Sequence, residues 1–183
     1  QTWADSRSAG IVRDMKKDPD LCRKFYERTG CPIHASYPLA KIIWLKTYQP
    51  DLFGQMKYVG SLKDYIFYNL TGEWVIDKST ASTSGMYNER TLSWDDEILA
   101  YAGISKEYRP PVVSTTYSHA LSDVAAAKLG LPKGLPVVIG ATDGVLVNVG
   151  IGAVSAGQLS ATIGTSGAVR MLVGEPRVDE KMR

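Results

Sequence analysis

The stretch from Pro136 to Val173 constrains this chain more than any other. A short apolar run, Pro136-Val137-Val138-Ile139, stops at Gly140-Ala141-Thr142-Asp143-Gly144. A segment of small and apolar residues, 144–155, comes next. Two more apolar runs, 158–163 and 168–173, then flank Gly164-Thr165-Ser166-Gly167. Apolar runs of this length bounded by glycine predict strands, so the order reads strand, turn, helix, hairpin. The first strand is expected to be buried, and Asp143 would stand at its C-terminal edge, where α/β sheets commonly bind ligands. Gly150 and Gly152 would let the helix over 144–155 approach another backbone closely.

That arrangement carries a specific chemistry. A carboxylate at a strand end can accept a proton from an attacking hydroxyl, and a glycine-and-hydroxyl turn can offer N–H and O–H donors to a phosphate. As a general base, Asp143 would contribute ~10²–10⁴-fold to the rate. Taken singly, each feature has a plainer reading, as a hairpin loop or a turn aspartate. The turn at 164–167 is not a serine-hydrolase elbow, because Ala168 replaces the second glycine and a strand follows. It is not a Walker loop either, since the chain has no Gly-Lys-Ser/Thr.

Near the N-terminus, Trp3-Ala4-Asp5-Ser6-Arg7 places an aromatic ring, a carboxylate and a guanidinium at alternate positions. In an extended segment all three would face one way, as a stacking face with forked hydrogen bonding for a polyol, or as a surface ion pair beside a core tryptophan. His34 and His119 are lone histidines, more often structural than functional. Asp77 with Ser79 and Ser82 reads as a helix cap or as a wall of the site.

The first two thirds read as mainly helical. Residues 8–29 form one or two pieces broken at Asp18-Pro19-Asp20 and stopped by Gly30. Pro38 to Tyr48 is helical, and Ser61-Leu62-Lys63-Asp64 opens a helix that ends before Gly72. Ser93 is expected to cap a helix over 94–102 closed by Gly103, and residues 122–129 form another, closed by Gly130. At 183 residues the chain holds one large domain, or one domain and part of a second. Twenty-one basic against nineteen acidic side chains, with no basic run beyond Arg13-Asp14-Met15-Lys16-Lys17, point to neither nucleic acid nor membrane. Cys22 and Cys31 make neither a disulfide framework nor a zinc spacing with His34, so both are expected to be reduced in a cytoplasmic protein. Gln1 and the abrupt opening suggest an excised segment.

Five blocks in this order resemble the FGGY family of sugar kinases. They are Trp3 to Arg7, Lys41-Ile42-Ile43-Trp44-Leu45, Asp77-Lys78-Ser79-Thr80-Ala81-Ser82, Gly140 to Gly144 and Gly164 to Gly167. Gly30-Cys31-Pro32-Ile33-His34 sits closest to the gluconate kinase and xylulokinase branch. The resemblance implies an α/β protein with the actin-like ATPase (ribonuclease H-like) fold. Residues 1–156 would be part of the N-terminal sugar-binding domain and residues 157–183 the start of the nucleotide-binding domain.

It implies Asp143 as catalytic base and Gly164, Thr165, Ser166 and Gly167 as a phosphate loop. Trp3, Asp5, Arg7, His34 and Gly144 would be the sugar-contacting residues. The implied small molecules are ATP with Mg²⁺ and a sugar or sugar acid, gluconate before xylulose, and a homodimer is compatible with it. The family's first phosphate loop and its adenosine motif are not in this sequence, so this piece alone is expected to be inactive. Two rival readings remain: an actin-like ATPase module of structural or chaperone type, and a non-catalytic sugar-binding fragment.

Overall fold

In the computed structural model, which describes Thr2, residues 4–164 and residues 167–182, the first half of the chain is organised by its helix caps. Helices α1 (Ala9–Met15) and α2 (Pro19–Thr29) separate where Pro19 takes the first helical position and the Asp18 carboxylate accepts the Leu21 N–H at 2.9 Å. Helix α3 (Pro38–Tyr48) also starts on proline, and the short α4 (Pro50–Gly54) follows Gln49. Helix α5 (Leu62–Thr71) opens on the expected capping box between Ser61 and Asp64. Gly30, Gly72, Gly103 and Gly130 each stand at a helix stop in the left-handed region, as anticipated.

Strand β1 (Ile76–Asp77) runs straight into α6 (Lys78–Ser82). Strands β2 (Tyr87–Asn88) and β3 (Ser93–Trp94) pair with each other and lead to α7 (Asp96–Ala102). This corrects the expected cap. Ser93 and Trp94 are taken by pairing with Asn88 and Tyr87, and the Asp95 carboxylate instead accepts the Ile98 N–H at 3.2 Å. A 3-10 turn (Lys106–Tyr108) precedes β4 (Val112–Val113), which lies parallel to β1. Strand β5 (Ser118–Ala120), helix α8 (Asp123–Leu129) and strand β6 (Pro136–Val138) follow, β5 and β6 pairing antiparallel.

One core gathers Ile11, Met15, Phe25, Leu39, Ile42, Ile76, Met86, Tyr87, Ile98 and Ala102 from α1, α2, α3, α7 and the short strands. Each large side chain so buried contributes about 1.5–3 kcal/mol. Arg28 on α2 reaches Asp95 and Glu97, tying the end of α2 to the start of α7.

The last third departs from expectation in two places. Strand β6 is not buried: it pairs only with β5, Val138 is 58% exposed, and burial resumes at Ile139, just past the strand. Helix α9 (Asp143–Gly150) begins on Asp143 itself and stops five residues early. Two glycines within three residues each cost about 1 kcal/mol of helix relative to alanine, which accounts for the early stop. Among the described residues nothing comes within 4 Å of where a Cβ on Gly150 or Gly152 would stand. The predicted hairpin is present as β7 (Leu159–Ile163) and β8 (Gly167–Met171), in register from Leu159 opposite Met171 to Ile163 opposite Gly167.

Candidate active site

Asp143 is the first residue of α9 and is exposed, with Thr142 preceding it as N-cap. Its Oδ1 accepts the Gly144 N–H at 2.7 Å, and no cation pairs with the carboxylate among the described residues. The chain reaches this point through Gly140, whose φ of 71° turns β6 into the helix. A side chain at that backbone angle would be strained, so glycine is needed there.

The hairpin lies along α9. Asn148 accepts a hydrogen bond from the Ser160 hydroxyl, and Gly144, four residues earlier on the same helix face, lies beside Arg170. A Cβ at Gly144 would stand 3.2 Å from Arg170 Nε, so glycine leaves room for that side chain. Arg170 in turn donates to Thr162 Oγ1 at 3.1 Å. Moving along α9 from Asn148 to Gly144 therefore matches moving along β7 from Ser160 towards Thr162 and the turn. The Asp143 end of the helix and the turn end of the hairpin point the same way. Gly164 and Gly167 bound that turn, while Thr165 and Ser166 lie outside the described residues. Next to α9 an open, mostly apolar cleft of about 550 Å³ is lined by Thr83, Thr142, Val145, Asn148, Val149, Arg170 and neighbouring residues.

The second group of expected residues gathers at the start of α3. Asp5 and Arg7 do not lie in an extended strand, as the alternate spacing suggested. The segment is folded by turns, with the Asp5 N–H donating to the Thr2 carbonyl at 3.1 Å and the Ala9 N–H to the Ser6 carbonyl at 2.9 Å. Arg7 instead forks onto Asp5, Nε to Oδ2 at 3.0 Å and the terminal nitrogen to Oδ2 at 2.6 Å, and its guanidinium lies 4.5 Å from the Trp44 ring centre. The hydrogen bonds from Arg7 hold the Asp5 carboxyl well below the usual range. The two charges satisfy each other in an ion pair. Trp3 lies outside the described residues.

His34 is exposed in the loop before α3, its Nδ1 2.8 Å from the Ser36 hydroxyl. The Ser8 hydroxyl donates to the Ala35 carbonyl, so this loop and the Asp5–Arg7 turn are neighbours. Reasoning from sequence missed Lys41, which ties the Asp5–Arg7 turn to α3: its buried ammonium donates to the Thr2 and Asp5 carbonyls, both at 2.9 Å. An apolar face broken by one lysine is the only sequence signal it leaves.

Helix α6 connects the two groups. The Leu39 N–H donates to the Ser84 carbonyl just beyond its C-terminus, and the Thr142 N–H donates to the Ser79 hydroxyl in its first turn, at 2.9 Å. Asp77 caps this helix, as expected, and also forms an ion pair with Lys63. Of the two alternatives read from sequence, the helix cap is the one the structure has. His119 faces Glu73 at 3.7 Å, away from either group.

A model of the FGGY family of carbohydrate kinases, N-terminal domain, matches residues 1–150. A gluconokinase from Bacillus licheniformis is 43% identical over 183 residues, which is all of this chain and 36% of the relative. Two solved structures from Lactobacillus acidophilus, a gluconate kinase and a ligand-bound xylulose kinase, each superpose with a TM-score of 0.95 at 34% identity. Each match covers 99% of this chain and 37% of the other. The chain thus spans little more than a third of the length of the proteins it matches.

Proposed function

Because the chain belongs to the FGGY family of carbohydrate kinases and has the actin-like ATPase fold of those enzymes, we propose that it is part of an ATP-dependent kinase that phosphorylates a hydroxyl of a sugar or sugar acid. Asp143 is the general base. The observation that carries this reading is the exposed Asp143 carboxylate, free of any cationic partner among the described residues and at the same end as the β7–β8 turn. As the hydroxyl oxygen attacks the γ-phosphate, the carboxylate takes its proton.

The hairpin end suits a phosphate. Among the described residues a Cβ on Gly167 would meet the Thr162 carbonyl, at 3.6 Å, and Ile163 is 94% exposed, so the strand ends flanking the turn leave room for a ligand. Thr165 and Ser166 would add hydroxyl donors there. No group of three or more His, Cys, Asp or Glu side chains among the described residues could hold a metal. Magnesium would enter with the nucleotide, where it would supply charge neutralisation for the phosphates. Trp3, Asp5, Arg7 and His34 are assigned to the sugar side, on turns that Ser8 holds together, with Lys41 tying the Asp5–Arg7 turn to α3.

Residues 1–156 then form part of the sugar-binding domain, and residues 157–183 begin the nucleotide-binding one. The family match ending at residue 150 supports that boundary. Alone, the 183-residue piece is inactive. Gluconate is the favoured acceptor, on the strength of the gluconokinase identity, with xylulose second. Both cysteines are free and buried, with burial pushing the Cys31 thiol up to about 11, in keeping with a reducing cytoplasm. Among the described residues no helix is long and apolar enough to cross a membrane.

The test uses the full-length kinase. ATP turnover should be stimulated by gluconate more than by xylulose or glycerol. Asp143→Asn should keep substrate binding and lose at least ~10²-fold in kcat. Near-normal turnover would remove Asp143 from its role. Thr165→Val should weaken nucleotide use more than sugar binding, and the reverse pattern would disown the phosphate turn.

A further inference from the structure

Three polar side chains from separate elements meet beneath the turn that carries Asp143. Lys63 lies in the first turn of α5, Asp77 ends β1, and Ser79 lies in α6. Asp77 is 0% exposed. One of its oxygens accepts the Ser79 N–H at 2.9 Å, the Thr80 N–H at 3.2 Å and the Ser79 hydroxyl; the other accepts the Lys63 ammonium. Burial alone would push this carboxyl up, but the hydrogen bonds from Lys63, Ser79 and Thr80 together hold it below the usual range.

From this knot two bonds reach the turn. The Lys63 ammonium lies 3.4 Å from the Gly140 carbonyl, and the Ser79 hydroxyl accepts the Thr142 N–H at 2.9 Å. Gly140-Ala141-Thr142 is therefore gripped at both ends, immediately before Asp143. Charge-assisted bonds to a buried carboxylate are among the stronger ties available to a loop, and breaking one strands the carboxylate. Packing does not substitute for them here, because no residue of α9 is buried.

We propose that Lys63 is a positioning residue for Asp143: by joining the buried Asp77 carboxylate to the Gly140 carbonyl, while Ser79 carries the same hold to the Thr142 N–H, it sets the direction in which the Asp143 side chain leaves the turn. The inference rests on the reading of Asp143 as general base. A displacement of about 1 Å at a reacting group costs on the order of 10²-fold in rate, so a loosened turn should be visible in catalysis.

The experiment measures kcat and both KM values for full-length Lys63→Met and Ser79→Ala, each alone and combined with Asp143→Asn. Lys63→Met should lower kcat ~10–100-fold while either KM moves by less than about threefold, since a group that acts through the base alters turnover and leaves ground-state binding intact. Ser79→Ala should lower kcat by about fivefold with the same split. Neither should cost further turnover once residue 143 is Asn, because groups acting as a unit are non-additive. Unchanged kcat in both variants, or a full multiplicative loss on top of Asp143→Asn, overturns the proposal. If Lys63→Met fails to fold, leaving Asp77 unpaired, Ser79→Ala keeps the ion pair and decides the question by the same criteria. Normal turnover in Asp143→Asn alone would instead sink the general-base reading itself.

Discussion

Between residues 8 and 113 the chain closes a core in which Phe25, Met86, Tyr87, Ile98 and Leu99 are each at most 1% exposed. Between residues 136 and 173 large apolar side chains face outward, with Val138, Val149, Leu159, Ile163 and Val169 from 57% to 94% exposed. On the hairpin the division is by face. Ser160, Thr162 and Arg170 turn towards α9, while Leu159, Ile163, Val169 and Met171 turn away. The region with the closed core holds the Asp5–Arg7 turn and the His34 loop, and the open region holds Asp143 and the β7–β8 turn. What joins them is polar: Lys63, Asp77 and Ser79 below Thr142, and Asn148 with Arg170 above. Apolar packing gives the first region its rigidity, and a few directional bonds orient the second against it.

The largest contrast should appear in stability. Phe25→Ala should cost ~3–5 kcal/mol in denaturant unfolding, through lost transfer energy and a cavity, and Ile163→Ala no more than ~0.5. Equal costs would break the comparison outright.

The seam comes next. Asp77→Asn should cost about 2–3 kcal/mol near neutral pH, less than for a fully buried pair because Lys63 is 31% exposed. The Asp77 carboxyl is held below its ordinary value, so its contribution is complete above about pH 4 and is lost as pH falls through the folded-state value. Thermal melts of wild type and variant should therefore converge on acidification. A gap that widened in acid would reverse the sign assigned to Asp77.

Within the closed region, Asp95→Ala should cost ~1–2 kcal/mol and Ser93→Ala less than ~0.5, which separates the observed cap from the one expected from sequence. The smallest effect belongs to the open face. Ile163→Lys and Val169→Lys should leave the unfolding midpoint nearly unchanged yet reduce self-association in sedimentation, because exposed apolar strands invite edge pairing. Unaltered association would mean that the outward face is not the sticky one.

Much of this was legible in the sequence because local chemistry decides it. Asp18-Pro19, the Ser61/Asp64 box and the four glycine stops act within one helical turn, and the helices they bound formed close to their expected limits. The hairpin was equally local, two apolar runs around Gly164 and Gly167. Errors arose where a tertiary partner outbid a nearby signal. Ser93 is a good capping residue, but pairing with Asn88 claimed its backbone and Asp95 took the role. An apolar run such as 136–139 predicts a strand without saying whether anything covers it.

Asp143 was singled out by its place after a strand and before a small-residue helix, and it stands there as the first residue of α9. Lys63 was not: it lies fourteen residues from Asp77 and seventy-seven from Gly140, and only the fold brings the three together. The Asp5–Arg7 pair shows the opposite limit. The spacing correctly suggested proximity, but the turn at Thr2 to Asp5 joined the two charges to each other.

The contact between Asn148 and Ser160 also acts as a fulcrum. From Ser160 to Gly164 the strand reaches about 13 Å, so a tilt of some ten degrees about that point swings the far end by roughly 2 Å. Any such tilt would be largest at the turn and smallest beside Asn148.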